Sequence, residues 1–289
     1  MTTVLNAVRI PTDDGSELSG EWLEPRGRRR GVLVVAPAMA TPAAYYRPMA
    51  AWLRDRGIAV LLFDYRGYGA SATGHLRDVE ADTTRWLRDA AAAGSYALDR
   101  AEGLPVTWLG HSLGGQAFGL ADHTRFARLV LVAAGSGHWR YGVGRSRFVA
   151  PVLWAALAPV AIRLTGYFPG RRFGIIGDLP PDVMREWASW CLHRDYLWGR
   201  RPELTARYAE VTTPVSSLVI ADDELLGEAS MRDLAGRYSG AETEVLRVEP
   251  TAHGLQRIGH HGFFHRDHAV LWESLLLPRI TTAEPAATA

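Results

Sequence analysis

The stretch Val106-Thr-Trp-Leu-Gly110-His-Ser112-Leu-Gly114-Gly115 is an apolar run that ends on a glycine-flanked serine and passes straight into a helical pattern over 113–123. A continuous apolar run, as opposed to an alternating one, marks a strand covered on both faces. The G-x-S-x-G spacing at a strand-to-helix junction puts Ser112 on a tight, strained turn with its hydroxyl exposed. Gly110 and Gly114 leave room for that turn, since a Cβ at either position would clash. The helix N-terminus beneath favours negative charge developing nearby. Together these features make Ser112 a candidate nucleophile.

Outward from this stretch the same kind of run recurs at 31–36, 58–63, 129–133 and 217–221, and 243–248 reads as a final strand. Residues 4–10 alternate, turn at Asp13-Asp14-Gly15 and are answered by 17–23, which predicts an antiparallel hairpin at one sheet edge. Helical patterns over 45–56, 79–93, 113–123, 230–238 and 264–277 alternate with the strands. The expectation is an α/β fold: a mostly parallel, eight-stranded sheet flanked by helices.

One region breaks the alternation. Residues 138–208 hold no convincing strand, many aromatics, and Pro151, Pro159, Pro169, Pro180 and Pro181, which predict a chain chopped into short helices. The expected organisation is a core over 1–137 and 209–280, a helical cap insertion over 138–208 and a flexible tail over 281–289.

Composition narrows the function. The 289 residues carry a net charge of +1, which argues against nucleic-acid binding and leaves no overall charge to draw the chain to an acidic membrane. All 32 basic residues are arginine, so Schiff-base, pyridoxal-phosphate and P-loop lysines are excluded. The single cysteine, Cys191, cannot form an internal disulfide and fits a reducing, cytoplasmic setting. The N-terminus lacks a secretory pattern. The most apolar stretch, 148–162, is short and holds two prolines, so no membrane span is expected. The oligomeric state is left open.

Two motifs make the chain resemble the α/β-hydrolase fold superfamily. Gly110-His-Ser-Leu-Gly-Gly115 resembles its commonest nucleophile turn, and Asp64-Tyr-Arg-Gly-Tyr-Gly-Ala-Ser71 resembles the D-x-R-G-x-G-x-S turn of many members. The likeness runs from about residue 4 to 277, the cap apart. Ile258-Gly-His260-His-Gly-Phe-Phe264 is similar to a segment of a little-characterised bacterial group of predicted hydrolases.

A serine nucleophile needs a general base, and the base an orienting carboxylate, in this fold in the order serine, acid, histidine. The strand at 217–221 is followed by Asp222-Asp223-Glu224; the family's D-x-apolar-apolar pattern fits Asp223 best, with Asp222 the alternate. Histidines crowd the loop before the last helix. The resemblance selects His260, preceded by glycine, ahead of His261 and His253. His261 and His265, four apart, also suit a metal, but the partners of a zinc site are missing, so no metal is expected. The oxyanion hole implied by the family takes one N–H from Leu113 and one from the loop 36–40. That loop, Ala36-Pro37-Ala38-Met39-Ala40, lacks the family's H-G pair; Pro37 has no N–H, which narrows the choice, and Met39 is the expected second donor.

Trp139, Tyr141, Trp187 and Trp190 are candidate pocket walls and favour a small-molecule apolar or aromatic acyl substrate. The resulting expectation is a serine hydrolase of esters, thioesters or lactones that needs no cofactor. An acyltransferase or cyclase with the same triad, or a non-catalytic binding protein on this scaffold, are the rival readings. Dehalogenases and epoxide hydrolases are disfavoured because they carry aspartate where this chain has Ser112.

Overall fold

A computed structural model describes residues 6–280 apart from 145 and 175; residues 4–5 of the expected hairpin and the expected tail 281–289 lie outside the described residues. The strands are β1 (Asn6–Pro11), β2 (Glu17–Leu23), β3 (Gly31–Ala36), β4 (Ile58–Phe63), β5 (Val106–His111), β6 (Arg128–Val132), β7 (Val215–Ile220) and β8 (Thr243–Val248). They form one eight-stranded sheet in the order β1-β2-β4-β3-β5-β6-β7-β8. β2 runs antiparallel to both neighbours and all other pairs are parallel. The mostly parallel sheet with an antiparallel hairpin at its edge is the architecture read from the sequence.

The continuous apolar runs split by period two onto two cores. Val32, Val34 and Ala36 face one side with Trp108, whereas Leu33 and Val35 face the other with Leu109. Helices α1 (Arg47–Arg54) and α2 (Thr83–Asp99) pack on opposite faces. α2 starts four residues later than its apolar pattern suggests. Asp82 caps it by accepting the Arg85 N–H at 2.7 Å, so the first hydrogen-bonded turn forms there.

The Asp64–Ser71 motif is a structural clasp. The Asp64 carboxylate accepts the Ala43 N–H at 2.7 Å and the Ala70 N–H at 2.9 Å, and Ser71 Oγ donates to the Asp64 carbonyl at 2.7 Å. Gly69 sits at φ +52° with its absent Cβ 2.3 Å from Asp64 Cγ, so only glycine fits. Arg66 pairs with the fully buried Asp89 at 2.6 Å and ties the turn to α2.

Between β6 and β7 the chain forms helices, turns and isolated bridges over 139–209. The prolines do not cut all of it into short pieces. Arg147–Thr165 is one 19-residue helical run with a mean hydropathy of 1.7, long and apolar enough by length and composition to cross a membrane. A π-helical turn at Leu153–Leu157, between Pro151 and Pro159, carries the helix past both rings.

Candidate active site

β5 ends at His111 and the chain turns at Ser112 into α3 (Leu113–Gln116). Ser112 has φ +52° and ψ −115°, a strained conformation for a residue with a side chain. A Cβ on Gly114 would lie 1.9 Å from the Ala36 carbonyl oxygen, and one on Gly110 2.4 Å from Gly115 Cα. The two glycines are thus the steric condition for the turn. Trp108 Nε1 donates to the Gly114 carbonyl at 3.0 Å and pins it from below.

The loop after β7 brings three acids to the backbone that carries His260. Asp222 accepts the N–H groups of Ile258 at 2.9 Å and Gly259 at 3.0 Å. Glu224 accepts the His260 N–H at 3.1 Å and pairs with Arg257 at 3.3 Å. Asp223 alone meets the imidazole, with Oδ2 2.7 Å from His260 Nδ1. Its Oδ1 accepts the N–H groups of Leu225 and Leu226, each at 2.8 Å. A carboxylate only accepts, so the proton of the pair sits on Nδ1 and Nε2 is left as a base. Both side chains are buried.

A second histidine links the parts. The Tyr46 hydroxyl accepts the Ala38 N–H at 2.9 Å and donates to His111 Nδ1 at 2.8 Å. His111 Nε2 then donates to the His260 carbonyl at 3.0 Å. Burial, with His260 and His261 beside it, holds the His111 ring well below the usual histidine range, so it stays neutral. Burial and His260 likewise bring His261 down to about 4. Tyr65 Oη donates to the Pro37 carbonyl at 2.9 Å and Tyr68 Oη to the Ala40 carbonyl, so three tyrosines hold the loop that lacks the H-G pair. With the Ala38 amide engaged, Met39 is the next donor along, and the Leu113 N–H, at the first position of α3, has no acceptor within its helix.

Ser112, His260 and Met39 line one pocket of about 220 Å³. Its walls include Trp139, Leu153, Trp154, Ile176, Trp187 and Leu226. Trp187 stacks edge-on with Trp154 at 4.6 Å. Two expected wall residues lie elsewhere. Trp190 is fully buried, packed edge-on against Tyr196, because it shares a helix face with Val183 one heptad earlier. Tyr141 is two residues beyond Trp139 in a 3₁₀ turn, which points the two rings apart; it packs on His138 at 5.7 Å. Sequence reasoning missed His138, Leu153, Trp154 and Ile176. Leu153 and Trp154 sit in an apolar helical pattern, which does not say which face meets the sheet, and His138 and Ile176 sit in irregular segments with no periodic signal. A larger, polar groove of about 790 Å³ runs beside α2 past Arg85, Arg88 and Arg207 and holds none of the candidate residues. Among the described residues no group of three or more His, Cys, Asp or Glu is arranged to hold a metal; His265 instead faces Asp267 at 3.5 Å.

Residues 27–167, just under half the chain, match the family described as Hydrolase_4, serine aminopeptidase S33. A 91-residue stretch is 33% identical to the polyketide transferase grgF of a Penicillium species, covering 28% of this chain and 31% of that protein, so the match spans about a third of the relative's length. The crystal structure of GrgF superposes with a TM-score of 0.62 at 18% identity, covering 94% of this chain and 96% of that one. An esterase of Pyrococcus furiosus superposes with a TM-score of 0.57 at 17% identity, covering 93% and 91%. A hydrolase from Oleispira antarctica does so with 0.59 at 18%, covering 91% and 94%.

Proposed function

We propose that this chain, which belongs to the α/β-hydrolase fold superfamily, is a serine hydrolase that cleaves an ester or thioester of a small apolar acyl group through an acyl-enzyme. The observation that carries this reading is the buried His260–Asp223 pair at 2.7 Å in the wall of the pocket that Ser112 enters from its strained turn. Ser112 Oγ attacks the carbonyl carbon and its proton passes to His260 Nε2. The carbonyl π electrons move to oxygen, which accepts hydrogen bonds from the Leu113 and Met39 N–H groups. The intermediate collapses, the bond to the leaving group breaks, and His260 returns the proton to it. Water repeats the sequence to free the acid. Asp223 fixes the imidazole tautomer and stabilises the imidazolium.

The pocket walls set the substrate. Apart from histidines they carry no ionisable side chain, so a charged acyl group would lose its water without a partner. The volume lies below the roughly 300–1,000 Å³ usual for drug-sized ligands, which favours a short acyl chain or one aromatic ring. The helical segment over 139–209 serves as a cap, since Trp139, Leu153, Trp154, Ile176 and Trp187 form most of the roof. The buried lone Cys191 agrees with a cytoplasmic setting.

Transfer of the acyl group to an alcohol or amine is the second reading. The stretch that is 33% identical to a protein named as a polyketide transferase favours it, as does the mostly apolar lining of the pocket. Fluorophosphonate labelling followed by intact mass tests the shared chemistry. One adduct on wild type and none on Ser112→Ala is the expected result; a folded wild type without an adduct would overturn both readings. Product analysis with added alcohol then separates hydrolysis from transfer.

A further inference from the structure

The helical run Arg147–Thr165 is apolar on both sides. Leu153, Trp154, Ala158 and Ile162 pack into the core. On the opposite face Phe148, Val152, Val160 and Leu164 follow at multiples of four residues and stand 56–78% exposed. A helix apolar all round belongs inside a protein or in contact with lipid. Such a row of exposed large side chains is rare on a monomer without a partner.

Charge identifies the partner. Between residues 138 and 177 the sequence holds six arginines and neither aspartate nor glutamate, although the whole chain is nearly balanced. Arg147 and Arg163 stand exposed at the two ends of the apolar row, and Arg171 and Arg172 lie just beyond it. A second copy meeting this face about a twofold axis would set arginine against arginine. An anionic lipid surface meets both the apolar row and its basic border. The helix lies along that surface and does not cross it, because its inner face is already committed to the core.

The face is continuous with the pocket. Val149 is 59% exposed on the helix and also lines the pocket that holds Ser112. We propose that the Phe148–Leu164 face docks on the surface of an anionic bilayer and turns the pocket mouth toward the lipid. Resting on the hydrolase reading, this makes the substrate a neutral ester or thioester that partitions into the bilayer and enters past Val149.

The test is flotation of the full chain with vesicles of one-quarter phosphatidylglycerol in phosphatidylcholine, and with pure phosphatidylcholine vesicles. The expected result is binding to the anionic vesicles, at least about tenfold weaker binding to the neutral ones, and loss at high salt. The triple variant Phe148→Ser, Val152→Ser, Leu164→Ser should lose binding, and Arg147→Gln with Arg163→Gln should weaken it about tenfold. Should the triple variant misfold, the arginine pair still decides. Absence of wild-type binding, or binding that neither variant alters, would overturn the docking. So would a dimer in sedimentation velocity that the triple variant disperses, coupled with no vesicle binding. Flotation needs no turnover, so fluorophosphonate labelling run in parallel tells failure of docking from failure of the hydrolase reading.

Discussion

The Tyr46 hydroxyl bridges the Ala38 amide at 2.9 Å and His111 Nδ1 at 2.8 Å, joining the loop after β3 to the strand that carries Ser112. His111 extends the bridge to the His260 carbonyl. Tyr46→Phe removes one oxygen and leaves a buried donor and a buried acceptor unpaired, at a cost of about 1–3 kcal/mol each. The expected result is a melting temperature lower by several degrees, together with slower fluorophosphonate labelling of Ser112, measured on the same preparation.

The three acids after β7 have separable tasks, and their substitutions should separate too. Asp223→Asn should keep the fold and lower kcat by roughly two to four orders of magnitude, with little change in KM, because the His260 tautomer is lost. Asp222 meets only backbone N–H groups of the histidine loop and Glu224 meets one of them and Arg257, so Asp222→Asn and Glu224→Gln should cost about tenfold or less. Ester turnover by the three variants checks this. Equal losses in all three would contradict the division of labour.

Two glycines make opposite predictions. Gly114→Ala drives a methyl group to 1.9 Å from the Ala36 carbonyl, so the turn and its surroundings must move and soluble protein should be largely lost. Gly236 lies exposed in the helix Glu228–Arg237 with open space at its Cβ. Gly236→Ala should stabilise the chain by about 0.5–1 kcal/mol, read by urea unfolding.

Acid should weaken the fold through neutral histidines. His261 titrates at about 4 in the folded chain against an ordinary 6.5, and His111 is also held well below the usual range. Between those values the unfolded chain binds more protons than the folded one, so stability rises with pH. The contribution is complete above about pH 6.5 and disappears as pH falls toward 4. Melting temperatures across this window should drop on acidification, and His261→Gln should flatten the slope.

Pocket length should be set by Trp187 and Ile176. Trp187→Ala opens the roof above Ser112 and should shift the preferred acyl chain to longer homologues in an ester panel, with Ser112 labelling retained. Trp190→Ala, at a fully buried position outside the pocket, should lower stability by about 3–5 kcal/mol and leave chain-length preference alone.

The parts of this molecule that rest on local rules were legible in the sequence. Six-residue apolar runs such as 31–36 and 58–63, short and bounded by turn residues, read as strands covered on both faces, and both lie in the sheet. The strained turn at Ser112 follows from glycines at 110 and 114. Choosing among Asp222, Asp223 and Glu224 was harder, because all three reach the histidine loop and one bond to an imidazole distinguishes them. The segment 139–209 was least legible. Trp187 and Trp190 lie three residues apart on one helix and only Trp187 reaches the pocket, so Trp190 was placed in a wall it does not form; Trp154 was passed over in a run apolar on both sides. The prolines at 151 and 159 suggested breaks, yet one π turn absorbs both.

The grip of Tyr46, Tyr65 and Tyr68 on the Pro37–Ala40 backbone has a consequence for redesign. The loop backbone takes its shape from rings outside it, while its Ala38 and Met39 side chains are buried beneath the pocket. Met39 lines the pocket from this held backbone, so a library confined to apolar residues of similar volume would reshape the pocket while leaving the loop in place. Ala40, at φ +54°, is a different case: glycine there would relax the backbone, and a β-branched residue would strain it further.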